Sequence, residues 1–159
     1  MHMAHAAPEV RVRLYRPGDA AAFRHLNQQW IEKFFSLEAP DRAALNHPEE
    51  HILAPGGAIL MAELGNEAVG TCALIREGEG IYELAKMAVD ERYRGAGIGR
   101  KILLCAISEA RRLGARKITL GSSSKLPNAI HLYESVGFRH VPAHDTPYTR
   151  ADVFMEMDL

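Results

Sequence analysis

Residues 90–101, DERYRGAGIGRK, constrain this chain more than any other segment. They follow an apolar run that reads as a strand, IYELAKMAV (81–89), and open a run with helical spacing from about Ile98 to Leu113. Glycines recur at 95, 97 and 99. An ordinary tight turn needs one or two. Three in alternation let successive backbone N–H groups close around an anion, at a helix N-terminus whose partial positive charge already favours phosphate. Arg94 and Arg100 add full charges there. A dinucleotide fingerprint needs G-x-G-x-x-G in a parallel βαβ unit, and a Walker loop needs G-x-x-x-x-G-K-[ST]; neither is present. Without the Walker lysine and hydroxyl, a nucleotide-binding or phosphoryl-transfer protein is disfavoured.

Around this turn the elements alternate. VRVRLY (10–15) reads as a half-buried strand ended by Pro17 and Gly18. Asp19 can cap the next helix, where Ala22, Phe23, Leu26, Trp30, Ile31 and Phe34 recur at helical spacing. A second short helix is expected to begin near Asn46. AILMAEL (58–64) and EAVGTCALIRE (67–77) flank a Gly65-Asn66 turn as an antiparallel hairpin. KITLGSS (117–123) is a strand, a helix runs from about Asn128 to Gly137, a strand starts at Phe138–Val141, and ADVFMEMDL alternates as a last strand. The expected fold is α/β, with a mixed, mostly antiparallel central sheet and flanking helices.

At 159 residues the chain has room for one domain, 1–159, with residues 1–9 a flexible N-terminal segment. A formal net charge of −1 supplies no basic field for nucleic acid. No apolar run approaches the roughly 20 residues of a membrane helix, and MHMAHAAPEV lacks the apolar stretch of a secretory signal, so a cytoplasmic location is expected. Cys72 and Cys105 lie in apolar segments and form no CxxC, which argues against a disulfide framework or zinc ribbon. His47 and His51 with Glu49 approach a zinc-binding H-E-x-x-H, but Pro48 stands where glutamate belongs; no metal is expected.

Arg94, Gly95, Ala96, Gly97, Ile98 and Gly99 resemble the R-x-x-G-x-G signature of the GCN5-related N-acetyltransferases, the GNAT superfamily. The resemblance covers ELAKMAVDERYRGAGIGRKIL and NAIHLYESVGF (128–138), and the element order matches across most of the chain. The wording of ELAKMAV and ADVFMEMDL is most similar to acetyltransferase domains that some relatives carry behind a winged-helix regulator, for which this chain is too short. The resemblance implies acetyl-CoA (coenzyme A) as co-substrate. Its pyrophosphate would lie on Arg94–Arg100, and its pantetheine arm would enter a gap where the motif strand splays from its neighbour. Met87, Ala88 and Val89 match that strand end, and the Met87 N–H would polarise the thioester carbonyl. Met87 and Val89 can equally be core side chains. Asn128 matches a cofactor-binding position and is also placed to cap its helix. Tyr133 matches the tyrosine beside the thioester sulfur; with Ile130 it could be plain core.

Aminolysis needs a neutral amine, and one with a lysine-like pKa costs about 4.6 kcal/mol to deprotonate at pH 7. Glu83 shares strand alternation with Met87 and Val89 and is the candidate base, provided burial raises its pKa or water relays the proton; a solvated strand glutamate is the other reading. Trp30 and Phe34, with Phe35, pack core or line the acceptor side. Tyr148 and Arg150 lie where family members often build the acceptor wall. A guanidinium beside a phenol suits a carboxylate, although Arg150 could instead pair with Asp152 or solvent. The expected function is direct acetyl transfer to a primary amine, the partner being a small, carboxylated molecule such as an amino acid. A peptide amine drawn by Glu32 and Glu38, and a non-catalytic acyl-CoA sensor, are the alternatives. A homodimer is compatible with the chain.

Overall fold

The computed structural model describes residues 9–159, so the N-terminal segment expected to be flexible lies, apart from Glu9, outside the described residues. Seven strands, β1 (Val10–Leu14), β2 (Ala58–Leu64), β3 (Glu67–Gly78), β4 (Ile81–Val89), β5 (Lys117–Ser122), β6 (Arg139–Val141) and β7 (Val153–Asp158), form one sheet in the order β1-β2-β3-β4-β5-β7-β6. All neighbours pair antiparallel except β4 and β5, which are parallel and need the crossover supplied by α3 (Ile98–Arg112). Among the described residues no helix is long and apolar enough to cross a membrane.

The sheet is covered on both faces. Ile102, Leu103, Ala106 and Ala110 of α3 are fully buried and pack with Leu60, Cys72, Leu74, Tyr82 and Leu84. On the other face α1 (Ala20–Phe34) and α2 (Ala39–Asn46) bring Phe23, Ile31 and Leu45 against Ile59, Met61 and Ala73. Each such side chain contributes about 1.5–3 kcal/mol by leaving water.

Two helix starts differ from expectation. Asp19 does precede α1, but its carboxylate turns back to accept from the Arg16 N–H at 2.7 Å and from the Arg13 guanidinium at 2.7 and 2.9 Å. The second helix ends at Asn46 instead of beginning there. Its start is set by Pro40 in the first turn and by Asp41, whose Oδ2 accepts from the Glu38 N–H at 2.9 Å. His47 closes α2, and the next residues form a separate short turn, Glu49–Leu53.

Two irregularities in β4 create the site. Its pairing with β5 stops at Glu83↔Thr119, so the β5-facing edge of residues 84–89 has no strand partner. Its register with β3 slips between Ala85 and Ala88, so that Lys86 and Met87 together oppose Cys72. Lys86 occupies this bulge with φ 52°, the one positive φ outside glycine among the described residues. Across the bulge the alternation inverts: Tyr82 and Leu84 face α3, and so do Met87 and Val89.

Candidate active site

Where β4 and β5 part, a cleft of about 1150 Å³ runs from the glycine-rich turn, between the two strands and beneath α4 (Pro127–Ser135), to the loop 142–152. One end presents open backbone at a helix N-terminus. Gly95 and Gly97 have φ of 80° and 77°, a left-handed conformation that side chains disfavour, and a Cβ on either would meet no atom within 4 Å. Gly97 is the N-cap of α3, and its carbonyl first accepts from the Lys101 N–H at 3.1 Å. The amides of Ile98, Gly99 and Arg100 therefore have no helical acceptor and are available to a ligand. Arg94, Gly95, Gly97 and Gly99 line the cleft. Ile98 buries its side chain in the core, so it offers only backbone. Ala96 and Arg100 are outside the lining; Arg100 donates to Ser135 Oγ at 3.0 Å and ties α3 to α4.

In the middle, Met87, Ala88, Val89, Leu132 and Tyr133 line the cleft. Met87 and Val89 also pack against the core, so their side chains serve the fold while the free edge of β4 faces the gap. Tyr133 sits edge-on to Phe138 with ring centroids 5.9 Å apart, and burial pushes its hydroxyl up to about 12. The phenol is thus a neutral donor at physiological pH. Asn128 lines the cleft but is not the helix cap, because α4 starts one residue earlier, at Pro127.

At the far end stand Trp30, Phe34, Phe35, Glu83, Tyr148 and Arg150. Glu83 does not share a face with Met87 and Val89, because the Lys86 bulge puts them on opposite sides of β4. It nonetheless reaches the cleft from the face of α1. Burial first, then the neighbouring Glu77, raise its pKa to about 7, with Lys86 and His144 opposing. Arg150 does not pair with Asp152, which instead accepts from Ser124 N–H and Oγ at 2.8 and 2.7 Å. Its guanidinium grips Asp41 through Nη1 and Nη2 at 2.8 and 2.7 Å, and Nη1 also donates to Glu38 at 3.0 Å. Three of five N–H groups are spent, and the two left, on Nε and Nη2, form the parallel fork that fits a carboxylate. The guanidinium lies against Trp30, Phe35 and Tyr148, 4.6–5.9 Å from their ring centroids. Burial would raise the pKa of Asp41, but Arg150 and Lys86 outweigh it and hold the group down to about 2.

The cleft thus has a glycine-rich turn with unpaired helix amides at one end and a buried carboxyl, Glu83, at the other. The sequence pattern of the acetyltransferase (GNAT) family matches residues 21–138. The chain belongs to this family. GNAT relatives include human N-acetylaspartate synthetase, 38% identical over 96 residues, 57% of this chain and 30% of that protein. The uncharacterized N-acetyltransferase YjgM of Escherichia coli (strain K12) is 36% identical over 90 residues, 55% of this chain and 54% of its own. This GNAT chain therefore aligns with about a third to a half of the curated relatives' length. Among solved structures, a GNAT acetyltransferase from Staphylococcus aureus Mu50 superposes with a TM-score of 0.84 at 23% identity, over 94% of this chain and 99% of its own. The yncA protein of Salmonella typhimurium, solved with its cofactor acetyl-CoA, gives 0.72 at 21% identity, over 94% of each chain.

Sequence reasoning missed Asp41 and Lys86 at this GNAT site. Lys86 carried a signal: a lysine inside the apolar run ELAKMAV must either point to water or find a buried counter-charge. Asp41 carried none, since an acidic residue in a first helical turn is ordinary. His47 and His51, with rings 6.2 Å apart, are both exposed, and among the described residues no three His, Cys, Asp or Glu side chains converge as metal ligands.

Proposed function

We propose that this GNAT protein transfers an acetyl group from acetyl-CoA directly to the primary amine of a small, carboxylated acceptor such as an amino acid. The observation that carries the reading is one cleft holding the anion cradle of Gly95–Gly99, the raised carboxyl of Glu83 and the unspent fork of Arg150. Acetyl-CoA supplies an activated acyl thioester. Arg150 holds the acceptor carboxylate, and Glu83, ionised on about half the molecules at pH 7, takes the proton of the attacking amine. The amine nitrogen bonds to the acyl carbon as the C–S bond breaks and the electron pair leaves on sulfur. Tyr133 donates a hydrogen bond to that thiolate. With the phenol near 12 and a thiol near 8.5, full proton transfer is uphill by about 5 kcal/mol, so the contribution is the hydrogen bond itself.

The name of the human relative, N-acetylaspartate synthetase, favours the same acceptor class. A basic peptide is less well served. Glu38, which would attract it, is engaged by Arg150, Thr149 N–H and Thr149 Oγ1 at 3.0–3.1 Å.

The test is thiol release from acetyl-CoA across a panel of amines. Amino acids should turn over, and Arg150→Lys, which keeps a charge beside Asp41 but removes the fork, should raise acceptor KM about tenfold or more while sparing acetyl-CoA. Turnover confined to lysine-containing peptides would refute the acceptor class, and binding of acetyl-CoA with no turnover of any amine would leave a sensor. Tyr133→Phe is expected to bind acetyl-CoA normally and to lower kcat about 10–100-fold. An unchanged single-turnover rate would remove Tyr133 from the chemistry.

A further inference from the structure

Asp41 has no exposed surface and does not line the cleft, yet its carboxylate joins three elements. Oδ1 accepts from Lys86 Nζ at 2.6 Å and Arg150 Nη2 at 2.7 Å; Oδ2 accepts from Arg150 Nη1 at 2.8 Å and the Glu38 N–H at 2.9 Å. A carboxylate offers about four lone-pair positions, and all are filled. The donors come from the start of α2, the bulge of β4 and the loop between β6 and β7.

The bulge needs such an anchor. A lysine at φ 52° is held in a conformation that its Cβ disfavours, and its ammonium is almost fully enclosed, donating also to Tyr148 Oη at 3.0 Å and lying 4.5 Å from that ring's centroid. With Asp41 removed, the enclosed ammonium loses its anion and the backbone loses its reason to stay strained. The same loss frees Arg150 to swing toward Glu38 at the rim.

We propose that Asp41 is a positioning residue for acetyl transfer. Through Lys86 it fixes the bulge that brings the free edge of β4 to the thioester. Through Arg150 it aims the fork at the acceptor, a half that rests on the acceptor reading above.

The test compares Asp41→Asn, Lys86→Met, Arg150→Lys and the double variant Asp41→Asn/Lys86→Met, measuring kcat, acceptor KM, acetyl-CoA affinity by calorimetry, and Tm. Asp41→Asn should raise acceptor KM about tenfold, as Arg150→Lys does, and lower kcat about tenfold, with acetyl-CoA affinity within about twofold. Lys86→Met should lower kcat and leave acceptor KM nearly unchanged. The double variant again balances one buried cation against one anion, so it should fold where Asp41→Asn is marginal and still show the raised KM. A second double variant, Asp41→Asn/Arg150→Lys, completes the set and should raise KM no further than the larger single effect, because both act on one fork.

Variants of Asp41 that lower Tm while kcat and KM stay unchanged below it would make the residue structural and overturn the proposal. So would a double variant that fails to fold while Lys86→Met folds. A raised KM in Arg150→Lys with none in Asp41→Asn would overturn the positioning role and leave the acceptor reading standing. An unchanged KM in Arg150→Lys would overturn the acceptor reading and the half of the proposal that runs through Arg150, and an unchanged kcat in Asp41→Asn would overturn the half that runs through Lys86.

Discussion

Glu83→Gln is expected to lower kcat/KM about 10²–10⁴-fold at pH 8 and to erase the acidic limb of the pH profile. Burial, reinforced by Glu77, holds the carboxyl up to about 7, close to where a base serves best at neutral pH. A base must be ionised to act. The native profile should therefore rise through pH 7, with about a tenth of the plateau rate at pH 6, and flatten above. The same shift has a stability consequence of opposite sign. Because the folded pKa exceeds the ordinary 4.5, the folded state binds more protons between these values. The contribution is fully present below about pH 4.5 and is lost as pH rises through 7, up to about 3 kcal/mol in all. Glu83→Gln should not show that loss, so relative to the native protein its Tm should climb between pH 5 and pH 8 while its activity is low. A variant with native kcat/KM and an unaltered acidic limb would eliminate Glu83 as the base.

Gly97→Val should abolish the rise in Tm that acetyl-CoA produces and weaken its binding about a hundredfold or more. Gly97 is at φ 77°, where a side chain costs about 1–2 kcal/mol, so the folded state is somewhat destabilised. The larger effect is on the ligand. A Cβ there meets no protein atom within 4 Å, and Gly97 lines the cleft, so a valine is expected to occupy space beside the ligand. Keeping phosphate away from the Ile98, Gly99 and Arg100 amides forfeits two or three charge-assisted hydrogen bonds worth about 1.5–3 kcal/mol each. Coenzyme A should still stabilise Gly78→Ala, since Gly78 has open space around it and lies far along the chain from the turn. Native acetyl-CoA affinity in Gly97→Val would mean that the turn is structural only.

Most of the element order and the left-handed glycine turn were legible because each is written in neighbouring residues. Alternation marks strands, helical spacing marks α1 and α3, and Gly95, Gly97 and Gly99 supply a backbone freedom that no partner has to provide. The start of α2 was also written locally, in Glu38, Pro40 and Asp41, whereas the start expected near Asn46 is where that helix ends.

What only the tertiary structure decided depends on contacts between distant positions. Strict alternation along IYELAKMAV places Glu83 beside Met87, and a single extra residue at Lys86 reverses that. No run of local residues announces the bulge, because its strain is offset by Asp41, 45 positions away. Arg150, 109 positions from the same carboxylate, acquires its orientation by the same means. The chain by itself determined which glycine-rich turn and which fold could form, since these follow from periodicity and glycine. The face Glu83 presents and the direction Arg150 points were left to packing, because a buried charge takes its place from whichever distant partner satisfies it.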